Sequence, residues 1–229
     1  MLPSPLGGRA RRDGLLTLLA LALLLAWDAT GLDLATVRLF GSSSGFPRRD
    51  TWWASTLLHD GGRIAAWLVL AALMATSLRA APAGTPSRAQ RWRWVGVMLL
   101  CVLLVPAIKR ISLSSCPWEL AEFGGAARQL SHWRWGVPDG GPGHCFPSGH
   151  AVSAFAFFGL YFLWRDHDRR FARACLWAVI ATGLLLGSAQ LVRGAHYPSH
   201  TLWTAWLCWT ICVVADRALV RWNGWSKAQ

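Results

Sequence analysis

An all-α fold, a polytopic membrane bundle of six transmembrane helices forming one domain over residues 1–229, is predicted by three features of this sequence. Six apolar runs almost free of charge recur along it, its basic residues gather in alternate connections, and many of its 16 tryptophans stand at run ends. Composition alone, 54% hydrophobic and 15% charged, fits a globular domain equally well, so the distribution of apolar residues decides.

The runs are 14–32, 64–78, 94–108, 150–164, 174–192 and 201–215. A spanning helix needs about 20 apolar residues, ~17 at the least, so the second, third, fourth and sixth runs need their flanks to reach that length. The first follows Arg9, Arg11 and Arg12 as the core of a secretory leader would. Trp27-Asp28-Ala29-Thr30 is a poor small-residue cleavage site, however, and the run is read as a retained span. After it, Phe46-Pro47-Arg48-Arg49-Asp50 followed by Trp52, Trp53, Leu57 and Leu58 reads as a short amphipathic helix on the outer surface, capping the bundle. A Pro- and Gly-containing linker at 80–87 separates the second and third runs, and no internal repeat divides the chain.

Charge orients the bundle, because short loops rich in Lys and Arg stay cytoplasmic. With the N-terminus inside, the inner segments hold 14 of the 23 basic residues, Lys227 the last of them, and only 4 of the 11 acidic ones. Both termini are therefore expected in the cytoplasm of a multi-pass inner-membrane protein of bacterial type. The loops 28–63, 109–149 and 193–200 are then periplasmic. The net charge of +12 flanks apolar spans and forms no single stripe, which argues against nucleic acid and for anionic membrane lipids as partners.

Three clusters on that outer face carry chemistry. Pro147-Ser148-Gly149-His150 stands where a loop turns into an apolar helix, offering unpaired N–H groups, the Ser148 hydroxyl and the His150 imidazole to an anion. Arg193-Gly194-Ala195-His196-Tyr197-Pro198-Ser199-His200 lies between the last two runs, and His196 and His200 share a helix face if the helix starts before Pro198. Lys109-Arg110 ends the third run; such a pair serves as an interfacial anchor as readily as an anion ligand. Ionisable groups gathered at a bundle mouth are functional candidates.

In order and spacing these residues resemble the type 2 phosphatidic acid phosphatase family, whose signature is Lys-x6-Arg-Pro, then Pro-Ser-Gly-His, then Ser-Arg-x5-His-x3-Asp. Here Lys109 is followed by six residues and Cys116-Pro117, the middle motif is intact, and the third aligns as Ala189-Gln190-x5-His196-x3-His200. The resemblance implies that His196 attacks phosphorus and forms a phosphohistidine. It implies that His150 protonates the leaving oxygen, that Lys109, Ser148 and Gly149 bind phosphate, and that no cofactor or metal is needed.

Three charged positions depart from the signature: Cys116 and Gln190 replace arginines, and His200 replaces the aspartate that orients the nucleophile. Neither Cys nor Gln grips phosphate as an arginine does, so Arg193 is the expected replacement cation, with Arg110 second. Glu119 is expected to supply the missing negative charge if its loop folds over the site. Because Cys116 and Cys145 adjoin motifs that must converge on one phosphate, and an extracytoplasmic compartment permits it, a Cys116–Cys145 disulfide is expected. Cys208-x3-Cys212 and the scattered histidines do not make a zinc site, and His59, His132 and His144 read as outer-loop surface residues, with His144 close enough to Pro147-Ser148-Gly149-His150 to be a candidate for supporting it from behind.

The expected activity is that of a lipid-phosphate phosphatase acting on a phosphomonoester or pyrophosphate. Phosphatidic acid, phosphatidylglycerol phosphate, undecaprenyl pyrophosphate and phosphorylated lipid A are candidate substrates. A lipid phosphotransferase of the same fold, and a non-catalytic lipid-phosphate binding or transport protein, are the alternatives.

Overall fold

The computed structural model of the chain describes residues 5–225; Lys227 lies outside them. The fold is all-helical, and the described residues hold two isolated bridges, Ser42 to Gly45 and Leu120 to Ala127, but no strand. In chain order come α1 (Pro5–Thr30), α2 (Leu32–Val37), a π-helical segment (Trp53–Gly61) running into α3 (Gly62–Leu78), α4 (Arg88–Ile111), α5 (Val152–Phe155), α6 (Phe158–Trp164), α7 (Arg169–Val192) and α8 (Pro198–Trp225).

Among the described residues, four stretches are long and apolar enough to cross a membrane: Gly8–Thr30, Trp53–Leu78, Arg88–Ile111 and Arg169–Val192. Their outward faces carry Leu15, Leu18, Leu19, Leu23, Trp67, Leu68, Leu103, Trp177 and Leu185 exposed, a continuous apolar coat that water does not tolerate and a bilayer does. α8, at 28 residues, has the length to span as well, since a helix rises about 1.5 Å per residue.

The fourth predicted run takes another form than the lipid-facing helices. It is the pair of short helices α5 and α6, interrupted at 156–157, and nearly every side chain in it is buried. Phe155, Phe158, Tyr161 and Phe162 meet Trp94, Met98, Cys101 and Val105 of α4, Val179 of α7, and Cys208, Cys212 and Val213 of α8. A stretch that is apolar on all sides is buried by its neighbours, so this run forms the centre of the bundle.

The amphipathic surface helix expected around 46–58 also resolves differently. Residues 46–51 turn, and the helix that follows is the wide first part of the 26-residue stretch ending at Leu78. Phe46 points inward and, with Leu34, Val37, Leu120, Phe123, Ala127 and Tyr197, builds a small second core that roofs one end of the bundle. The three motif clusters lie beneath that roof.

Candidate active site

The third motif is placed by the way α7 stops. Gly194, with φ 72°, sits just past the helix; its N–H donates to the Leu191 carbonyl and that of Ala195 to the Gln190 carbonyl, both at 2.9 Å. This is the paired closure that a left-handed glycine allows. A Cβ at 194 would also fall 2.4 Å from the Phe46 ring. α8 then begins at Pro198, whose missing N–H costs nothing at a first helical position. Asp33 caps the new helix by accepting from the Ser199 N–H at 3.0 Å and from its hydroxyl. His196 therefore precedes the helix, and its closeness to His200 comes from this turn and not from a shared helical face.

Hydrogen bonds sew the other motifs to this turn. The Trp118 N–H donates to the Gly194 carbonyl at 2.9 Å, His144 and Cys145 N–H groups donate to the Ser112 and Ser114 carbonyls, and the Ser148 N–H donates to the His200 carbonyl at 3.1 Å. Cys116 and Cys145 form the expected disulfide. His196 lies against it, Nδ1 3.5 Å from Cys145 Sγ and 3.5 Å from His200 Nδ1. Cys116, Cys145 and His196 are close enough together to suggest a metal trio, but a metal takes thiolates, and both sulfurs are bonded to each other.

Contact with the disulfide and with His200 leaves His196 Nε2 as the free nitrogen. His196 is fully enclosed, and burial, reinforced by His200 and Lys109, holds it well below the ordinary histidine range. It is a neutral imidazole with a lone pair at neutral pH. Lys109 reaches the same centre at the end of α4: a side chain at 149 would meet its Cδ at 3.3 Å, so Gly149 is what lets the lysine lie across the middle motif. Ser148 is fully buried, and its Oγ accepts from the Ala151 N–H at 3.3 Å, which leaves its own proton to donate. Because α5 is a single turn, the motif contributes N–H groups more than a helix dipole.

His150 is buried, and its Nε2 donates to the Leu58 carbonyl at 3.2 Å, which fixes its tautomer. Its ring stacks on His59 at 4.5 Å, and His59 is paired with Asp60 at 2.9 Å. Burial first, then the neighbouring His59, Arg193 and Arg63, push His150 down to about 4; the Leu58 carbonyl works the other way. His59, read from sequence as a surface residue, is thus a partner of His150. So is His132 of His200: its side chain is buried, stacked on Phe146 at 4.1 Å and edge-on to His200 at 5.8 Å. His144 is exposed, as expected.

Arg193 is buried beside Gln190, donating from Nη1 to its Oε1 at 3.3 Å and from Nε to the Arg49 carbonyl at 2.8 Å. Its charge thus stands next to the position where the signature has an arginine. Arg110 is exposed and, among the described residues, makes no hydrogen bond or ion pair with the cluster. The loop of Glu119 is tied by its backbone to Ala127, and among the described residues its carboxylate has no hydrogen bond to a site histidine.

An apolar groove of about 220 Å³ opens beside Gly149, between Trp67 and Leu70 of α3, Val102 and Pro106 of α4, and Val152 and Phe157, with Arg63 at its edge. No curated protein and no solved structure matches the chain at a significant level. The family model of the PAP2 superfamily does match it, over residues 91–223, which contain all three motifs; the chain belongs to that superfamily, whose members are generally phosphoric ester hydrolases of the lipid-phosphate class.

Proposed function

We propose that this protein is a membrane lipid-phosphate phosphatase working through a phosphohistidine on His196. The observation that carries the reading is the nearness of His150 and Lys109 to His196, with Lys109 lying against Gly149, which also lines the apolar groove. A phosphate held by the cations and N–H groups would keep its acyl chains in the groove.

In the first step His196 Nε2 attacks phosphorus in line, the bond from phosphorus to the lipid oxygen breaks, and His150 gives that oxygen its proton. Water then attacks the phosphohistidine with His150 as base, releasing phosphate and freeing His196. Lys109, Arg193, the Ser148 hydroxyl and the Gly149 N–H spread the phosphoryl charge. His200 accepts from His196 Nδ1–H and keeps the lone pair on Nε2. His150 is neutral in the empty site, and the arriving phosphate charge restores its proton affinity.

The site opens to the periplasm of a bacterial inner membrane crossed six times, with both termini cytoplasmic. Loop charge supports this orientation, and a disulfide beside His196 suits an oxidising compartment. Phosphate release from a panel of phosphatidic acid, phosphatidylglycerol phosphate, undecaprenyl pyrophosphate and phosphorylated lipid A, by purified protein and by His196→Ala, tests the reading. Release by wild type alone is the expected result. Equal release by both would overturn the assignment to His196, and none by either would leave a non-catalytic lipid-phosphate binder; transfer of phosphate to a second lipid in place of water would mark a phosphotransferase.

A further inference from the structure

Resting on the phosphohistidine reading, we propose that Asp28 is the displaced carboxylate of this site, a positioning residue that acts on His196 through His132 and His200. Asp28 and His132 side chains are both 7% exposed, with Asp28 Oδ2 3.3 Å from His132 Nε2. The same oxygen accepts the indole N–H groups of Trp133 and Trp203, each at 2.9 Å. Asp28 Oδ1, although buried, has no partner among the described residues, nor has His132 Nε2 a well-aligned one. Between them and His200 lies a cavity of about 90 Å³, lined also by Asp33, Ser114 and Tyr197. It is polar and has the room of about three waters, at ~30 Å³ each.

A buried carboxylate beside imidazoles favours their charged form and so stabilises a positive charge that arises on that side of the site. The nucleophile supplies one. When Nε2 takes the phosphoryl group, the His196 ring becomes cationic with its proton on Nδ1, and His200 Nδ1 accepts the hydrogen bond. His200 must then carry its own proton on Nε2, and the Asp28 carboxylate, one edge-on ring contact beyond it at His132, stabilises the new charge through space. A carboxylate that touches a catalytic histidine is worth up to about 10⁴-fold in kcat, and one that acts a contact further back is typically worth about 10- to 100-fold.

Asp28→Asn keeps an oxygen for the two indoles and removes the charge. Its kcat should fall about 10- to 100-fold with KM little changed. In a His200→Asp background, where a carboxylate touches His196 directly, the same substitution should cost less than about threefold. Equal losses in both backgrounds would show a purely structural Asp28, and no loss in either would remove it from the site; both overturn the proposal. The phosphohistidine reading fails separately, by full activity of His196→Ala.

A second observation stands apart from the catalytic end. A cavity of about 410 Å³ is lined by Arg9, Arg12, Tyr161, Arg165, Arg169 and Arg173. Arg9 lies 19 residues before Asp28 on α1, about 28 Å along a helix, so the cavity opens at the opposite end of the bundle. Arg165 is spent inward on Asp13 and Asp216, each at 2.6 Å, and Arg9 on Asp166. Among the described residues Arg169 and Arg173 have no carboxylate partner. Planar guanidinium groups so placed match a phosphate oxygen pair, and the volume suits a small ligand.

We infer a second phosphate site there, for the headgroup of an anionic lipid of the other leaflet. Thermal unfolding of the full chain in detergent should shift up by roughly 5 to 10 °C at about 100 times Kd with phosphatidylglycerol. Phosphatidylcholine should give no shift, and Arg169→Ala/Arg173→Ala should abolish that of phosphatidylglycerol. A shift with glycerol phosphate equal to that with the lipid would make the ligand a soluble phosphate. An equal lipid shift in wild type and double variant, or none in either, would overturn the site.

Discussion

The Cys116–Cys145 disulfide ties the first two motifs across a separation of 29 residues, and opening it is a perturbation whose size can be worked out. Closing a loop of that length removes about 12 cal/mol/K of chain entropy from the unfolded state, or about 3.6 kcal/mol at 25 °C. For a chain of 150–250 residues that corresponds to roughly 7 to 14 °C in Tm. The measurement is thermal unfolding in detergent of wild type and of Cys116→Ser/Cys145→Ser, each with and without reductant. The remaining cysteines, Cys101, Cys175, Cys208 and Cys212, are free thiols in α4, α7 and α8, so reductant should lower the Tm of the wild type only. Activity should fall further than stability requires, because Cys145 Sγ also packs 3.5 Å from His196 Nδ1, and a misplaced nucleophile costs up to about 10²-fold. A double variant with wild-type Tm and turnover, or one that reductant destabilises as much as the wild type, would refute the reasoning.

Arg193→Ala should lose far more phosphatase activity than Gln190→Ala, since the first removes the charge at the phosphate and the second only its support at 3.3 Å; comparable kcat/KM losses would place the replacement cation elsewhere. Stability should depend on pH through His150, whose folded value of about 4 lies below its ordinary 6.5. The unfolded chain binds the proton first as pH falls, so stability is full above about 6.5 and is lost progressively down to about 4, by about 3 kcal/mol. His150→Gln should make that part of the Tm against pH curve shallower without flattening it, because burial holds His196 and His200 low as well.

Sequence patterning read the bundle well where a helix has one lipid-facing side and one buried side. It also marked the three motif clusters, whose order and spacing the family resemblance carries and which all lie within the residues that the family model matches. At run 150–164 it leaves the form of the element open, because apolarity on every face looks the same for one lipid-facing helix and for a buried pair of short helices. Asp28, His59 and His132 were invisible for another reason: each reaches its partner from an element far away in the chain. His59 stacks on His150 and His132 lies edge-on to His200. No local pattern records such a contact. Pro198 makes the helix phase of His196 and His200 ambiguous in sequence, and the ambiguity resolves once the proline is taken as a helix start signal.

The replacement of the family aspartate by His200 makes sense together with the two lost arginines. A carboxylate touching His196 would stand roughly 6 Å from the phosphoryl group, where at an effective dielectric of ~20 it repels each phosphate charge by ~3 kcal/mol. Two arginines offset that repulsion; Lys109 and Arg193 alone offset less of it. Setting the negative charge back at Asp28, behind the His132 and His200 rings, roughly doubles its distance from phosphate and halves the repulsion, while His200 still accepts from Nδ1. His200→Asp should therefore raise KM for lipid phosphate about tenfold or more, since each 1.4 kcal/mol is a factor of ten, with kcat held or increased. Adding Gln190→Arg to that variant should bring KM back down. If His200→Asp leaves KM unchanged, or if Gln190→Arg fails to lower it, phosphate affinity is not what ties these three positions together.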